Sequence, residues 1–143
     1  MTDHNLGYST LWWAAVLGLI LAPMAGLAID VGRYAYARGE IYKAADAGAL
    51  AGAQMVDIPL YEFTGILEFS PDAPGVAQAY VDRNTSYLGS RGIHPSITGM
   101  WIDQANKTVH VEVSADISRL FPQVVPSVII HGHGIAQVRG LGP

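Results

Sequence analysis

His110, His131 and His133 are the residues whose spacing comes nearest to chemistry. His131 and His133 lie two apart, so a regular strand puts both imidazoles on one face. His110 sits on a neighbouring Val-rich stretch, and an antiparallel turn would bring it across from them. Grouped imidazoles are common ligands of zinc and similar ions. No acidic or cysteine cluster adjoins them, and histidines on a solvated strand face explain the pattern as well. The expectation is therefore no metal ligand and no cofactor. Asp30 and Glu40 are carboxylates close to an apolar run, a setting in which acids often pair functionally. Surface pairs on a helix account for them too: Asp30 with Arg33, Glu40 with Lys43, and Lys43 with Asp46 all stand three residues apart.

The usual signatures of catalysis are missing. The sequence holds no nucleophile elbow, phosphate loop or dinucleotide fingerprint. Gly132 to Gly134 lack the strand–turn–helix setting of a phosphate cradle. With no cysteine in the chain, thiol catalysis, thiolate metal sites and disulfides are excluded. No catalytic or cofactor-binding residue is expected, and the chain reads as a non-enzyme. Asn84-Thr85-Ser86 and Asn106-Lys107-Thr108 match the N-glycosylation pattern, which makes Asn84 and Asn106 candidate acceptors if the segment that carries them is extracellular.

The totals say what must hold these residues. Of 143 residues, 50% are hydrophobic and only 14% charged. An ordinary soluble domain carries about 25% charged residues. Such a chain needs a membrane or a protein interface to cover its apolar surface. The net charge is -4, and no basic run offers an electrostatic footprint for nucleic acid.

Leu11 to Ile29, LWWAAVLGLILAPMAGLAI, carries no charge. It matches the ~20 residues that cross a bilayer core. Trp12 and Trp13 stand at its start, where indoles favour the membrane interface. A cleavable signal peptide would need a basic leader, and MTDHNLGYST has none. Within the run, Ala14, Gly18, Ala22 and Gly26 recur every fourth residue and form one narrow stripe of small side chains. Such stripes let helix backbones approach closely in lipid. The small-residue spacing continues through Ala28 and Gly32, Ala35 and Gly39, and Ala44, Gly48 and Gly52. Each helical glycine costs about 1 kcal/mol relative to alanine, so close packing at these positions would compensate. Pro23 removes the bond to the Leu19 carbonyl and predicts a kink or a short unwound stretch over Leu19 to Pro23.

No turn signal interrupts Asp30 to Gln54, so the spacing predicts one helix from Tyr8 to Met55, on the order of 70 Å long. Its outer half must lie against something other than lipid. Arg33, Arg38 and Lys43 all follow the apolar run, which by charge bias alone would leave the C-terminus cytoplasmic. Val56 to Ala73 reads as an irregular stretch with Phe63, Leu67 and Phe69 as anchors. Asp72 and Pro74 open a second helix that ends near Gly89. Strands follow at Ser96 to Ile102, Lys107 to Ser114 and Ser127 to Arg139, with Asp103 to Asn106 as a turn and Leu120-Phe121-Pro122 as an interruption. Val109, Val111 and Val113 face one way, His110 and Glu112 the other. The expected fold is α+β. Residues 1–55 form an apolar, transmembrane-type helix or stalk. Residues 56–143 form a small head with one further helix and a roughly three-stranded antiparallel sheet.

Ala28-Ile29-Asp30-Val31-Gly32-Arg33-Tyr34-Ala35-Tyr36-Ala37-Arg38, followed by Ala44-Ala45-Asp46-Ala47-Gly48-Ala49-Leu50-Ala51-Gly52-Ala53, resembles the TadE/TadG-like pseudopilins of tight-adherence (Flp-type) pili. Asp30, Gly32, Arg33, Ala45 and Asp46 carry the motif. The resemblance implies a pilin-like structural subunit, held in the cytoplasmic membrane with its head outside. It would then be extracted by pilus export machinery into an extracellular helical homopolymer that serves adhesion. Its partners would be copies of itself, the membrane before assembly and that machinery, with no nucleic acid. The sequence departs from the pattern at its start. Gly7 is placed to precede a prepilin-peptidase cut, yet the fifth residue beyond it is Trp12 where the family has glutamate. Two other readings stand beside the filament subunit: a minor membrane-anchored pseudopilin that primes or caps a filament, and a single-pass membrane protein with a binding head.

Overall fold

Apolar and small residues free of turn formers extend the first helix well past the charge-free run. In a computed structural model that describes residues 4–117 and 127–139, with side chains from residue 9 onward, α1 spans His4–Gln54. Helical structure is continuous through Leu19 to Pro23, so the unwound stretch expected there does not form. The loss of one backbone donor at Pro23 is absorbed without breaking the helix. The chain's contacts fall into two units, Met1–Ala35 and Tyr36–Pro143, with the division inside α1.

In the first unit the apolar side chains stand open. Leu11, Trp12, Trp13, Leu17, Leu19, Ile20, Leu21, Met24, Leu27 and Ile29 are all exposed, Leu19 to 78%. The Trp12 and Trp13 rings meet edge to face, with centroids 6.4 Å apart.

In the second unit the remainder of α1 lies against a sheet. Ala37, Ile41, Ala44, Ala45, Ala49 and Ala53 are buried, a helical repeat that marks one face. The sheet is antiparallel in the order β1-β2-β3, from β1 (Ser96–Asp103), β2 (Thr108–Ile117) and β3 (Val128–Gln137). Val109, Val111 and Val113 are fully buried on its inner face, as their alternation requires. β1 and β2 are joined by the expected turn. The Asp103 carboxylate accepts from the backbone N–H groups of Ala105 and Asn106 at 2.9 and 3.1 Å and from the Asn106 amide at 2.7 Å. These bonds favour the ionised carboxylate, so the Asp103 pKa is lowered, with the Asn106 side chain as the largest cause. The Leu120-Phe121-Pro122 interruption lies outside the described residues.

The stretch from Val56 to Ala73 departs from expectation. It contains a helix, α2 (Ile58–Thr64). Asp57 caps it by accepting from the Leu60 N–H at 2.9 Å, Pro59 sits in its first turn, and Gly65 closes it with φ 73°. Phe63 is not an anchor, being 93% exposed, whereas Leu67 is buried and Phe69 packs on the core. Gln104 holds this stretch to the sheet: its amide accepts from Leu67 N–H at 2.9 Å and donates to Leu67 C=O at 2.7 Å.

The next helix, α3, spans Ala73–Asn84, and a single turn, α4, follows at Ser86–Gly89. Asp72 occupies the cap position of α3 but makes no side-chain cap bond, because its backbone is already helical (φ -85°, ψ -8°) and the carboxylate is not swung back over the first turn. The expected single helix to Gly89 is divided at Thr85. That residue is buried, and its hydroxyl donates to the Val81 carbonyl at 2.8 Å, a local bond that competes with continued helix. Gln78 secures α3 to β1 by accepting from Ile97 N–H at 2.9 Å.

Candidate functional site

The sequence points to α1, and the small residues along it meet different fates. Ala14, Gly18 and Ala22 are exposed, and a side chain built on Gly18 or Gly32 would touch nothing within 4 Å. Gly26 is buried. Gly39 is open in the same sense as Gly18. Gly48 and Gly52 are not open. A Cβ on Gly48 would come within 3.1 Å of Val81, and one on Gly52 within 2.6 Å of Met100 and 3.2 Å of Val109. The lower end of the small-residue series is therefore filled from within the chain. Ala45 of the family-like motif is buried and Asp46 exposed beside it.

Sequence reasoning passed over the residues that make this seat possible. β3 presents glycine at two successive inward positions. A Cβ on Gly132 would lie 2.9 Å from the Ile41 carbonyl oxygen, and one on Gly134 2.2 Å from the backbone of Ala45. Only glycine permits a strand and a helix to meet backbone to backbone here. The readable signal was Gly-x-Gly at strand period.

The outer face of the sheet collects aromatic side chains. Trp101 pairs with His110, and Glu112 with His133, across adjacent strands. The Trp101, His110 and His133 rings stack nearly parallel, with centroids 5.2 to 5.8 Å apart. His110 Nδ1 and His133 Nε2 share a hydrogen bond at 3.1 Å, and Thr108 Oγ1 bonds the other nitrogen of His110 at 3.0 Å. His131 pairs with Ser114, one register step beyond the stack. Among the described residues no group of three or more His, Asp or Glu side chains is placed to hold a metal ion. The bond between His110 and His133 ties β2 to β3 and leaves the face a stacked, wet surface.

Of the three expected ion pairs, Glu40 and Lys43 close at 2.8 Å, so Lys43 turns to Glu40 rather than Asp46. Asn106 is exposed at the β1–β2 turn, and Asn84 is exposed at the end of α3, its amide donating to the Tyr80 carbonyl at 2.8 Å.

α1 is long and apolar enough to cross a membrane. Residues 7–55 match the family model of the putative Flp pilus-assembly TadE/G-like proteins, which is the family their sequence resembles. The match covers nearly all of α1 and ends one residue beyond it. No curated protein and no solved structure matches the chain.

Proposed function

With residues 7–55 a TadE/G-like pilus-assembly segment, we propose that the chain is a pilin-like structural subunit that polymerises through the first part of α1 into an extracellular filament of the tight-adherence type, serving adhesion. The observation that carries this reading is the unused surface of residues 11–31. Ten large apolar side chains from Leu11 to Ile29 are exposed, as is Val31 beyond them, and a side chain built on Gly18 or Gly32 would touch nothing within 4 Å. Lipid covers such a surface before assembly, and helices of other copies cover it afterwards. The chain acts by assembly and not by catalysis. It resides in the cytoplasmic membrane until pilus export machinery extracts it.

A second reading, a minor membrane-anchored pseudopilin that primes or caps a filament, draws on Trp12. The family's glutamate would pair there with a neighbour's amine, and an indole offers no such charge. Electron microscopy of material sheared from expressing cells, with mass spectrometry of the N-terminus, separates the two. Filaments built mainly of this chain support the structural subunit, and the N-terminal mass reports any cut after Gly7. A chain found only in membranes, with no filament, favours the anchored pseudopilin.

A further inference from the structure

The second unit carries a cluster of exposed tyrosines and arginines outside its buried core. Tyr36 of α1 meets Tyr87 of α4 edge to face, with centroids 5.9 Å apart. The Arg91 guanidinium lies 4.5 Å from the centre of the Tyr87 ring and donates to the Tyr87 hydroxyl. Arg83 lies 5.3 Å over Tyr80, on α3 just before the break at Thr85 that leads to Tyr87. All of these side chains are exposed, Tyr36 and Tyr87 to 50% each. Among the described residues neither Arg83 nor Arg91 closes a salt bridge. The acids nearby are engaged elsewhere: Asp82 accepts from Gln78 at 2.7 Å, and Glu40 holds Lys43.

We infer that this tyrosine–arginine face docks on the anionic headgroups of the membrane from which α1 emerges; the inference rests on the membrane-anchored state proposed above. Residues 30–35 alone separate the charge-free run from Tyr36. As helix they rise roughly 9 Å. A headgroup layer is roughly 5–8 Å thick and the screening length about 10 Å, so Tyr36 is delivered within reach of lipid charge. Tyrosine rings settle at the level of the lipid headgroups. Arginine stems lie along apolar surface while the guanidinium reaches phosphate, which it can engage with two parallel hydrogen bonds. Stacking on Tyr80 and Tyr87 holds both guanidinium groups outward without neutralising them.

The absence of cysteine allows a direct test in the full chain. Ser90→Cys, between Tyr87 and Arg91, carries an environment-sensitive dye, and Asn106→Cys at the hairpin end carries the same dye as reference. The chains are reconstituted into vesicles of phosphatidylcholine alone or mixed with phosphatidylglycerol, both with a headgroup-level spin-labelled quencher. Docking predicts strong quenching at position 90, little at 106, and more with anionic lipid. Each arginine near an anionic surface strengthens attachment about fivefold, so Arg83→Ala with Arg91→Ala should weaken it about 25-fold. Equal quenching at both positions, or indifference to lipid charge, overturns the docking. A dye at 90 shielded without lipid quenching assigns the face to a second copy and also overturns it. Flotation of the chain with vesicles is read in parallel. A chain that does not float sinks the membrane anchor and the docking together, whereas a chain that floats with position 90 unquenched sinks the docking alone.

Discussion

Gly18 and Gly52 belong to one helix and one repeating pattern, yet they work in opposite surroundings. Around Gly18 the chain offers nothing within 4 Å; at Gly52 the side chains of Met100 and Val109 already fill the space. In the first unit large apolar residues surround the small ones, and most of them remain exposed. In the second, alanines replace them along the buried face, from Ala37 to Ala53. The same small-residue spacing thus serves two purposes. Where bulky neighbours flank it, it is the surface we propose for another helix. Where alanines flank it, it is a bed for the chain's own sheet.

That contrast can be broken or sharpened by mutation. The largest effect belongs to Gly18→Leu and Gly26→Leu, which should abolish filament assembly while leaving membrane insertion and the folded head intact. Filaments of normal yield by electron microscopy, from both variants, would sink the idea that the first unit's stripe is an assembly surface. Gly134→Val attacks the other half. Its Cβ would fall on the backbone of Ala45, and the expected loss in head stability is about 3 kcal/mol, measured by denaturant unfolding of the full chain in detergent. Unchanged stability would show that helix and strand do not approach so closely. Asp57→Ala, which removes the cap of α2, should cost about 1 kcal/mol in the same measurement and leave membrane insertion untouched. The smallest effect concerns acid. The Asp103 carboxylate has a lowered pKa, so its contribution is fully present above the ordinary carboxylate value and is lost as pH falls through the folded one. Hydrogen exchange at Ala105 and Asn106 should therefore lose protection in acid, and Asp103→Asn should remove that pH dependence.

Much of this was readable in the residues. Alternation at Val109, Val111 and Val113 located the central strand and its inner face. Asp103 to Asn106 announced the turn, and the absence of Pro or turn signals between Asp30 and Gln54 carried α1 to its end. α2 was legible as well, since Asp57, Pro59 and Gly65 are a cap, a first-turn proline and a terminating glycine; the prolines and scattered aromatics masked them. Other features depend on distant partners. Thr85 divides a helix because it is buried, and burial is set by the whole core. Gly132 and Gly134 read as ordinary residues of the last strand until Ile41 and Ala45 arrive beside them. The Trp101–His110–His133 stack follows from strand register, which a bulge between Ile97 and Gly99 adjusts. The helix of the first unit was legible from composition, but Pro23 was misleading there, because one lost backbone bond does not unwind it.

The glycine seat on β3 also sets an order of events. Ile41 and Ala45 leave the ribosome early, but the strand that receives them is near the end of the chain. Until Gly132 and Gly134 are made, the stretch of α1 at Ile41 and Ala45 lacks the strand that covers it, although the apolar run ahead of it is already long enough to enter a membrane. Contacts between such distant residues form slowly and leave sticky surface exposed in the interval. A nascent chain stalled before β3 would leave α1 bare around Ile41 and Ala45, a patch ready to pair with the wrong neighbour.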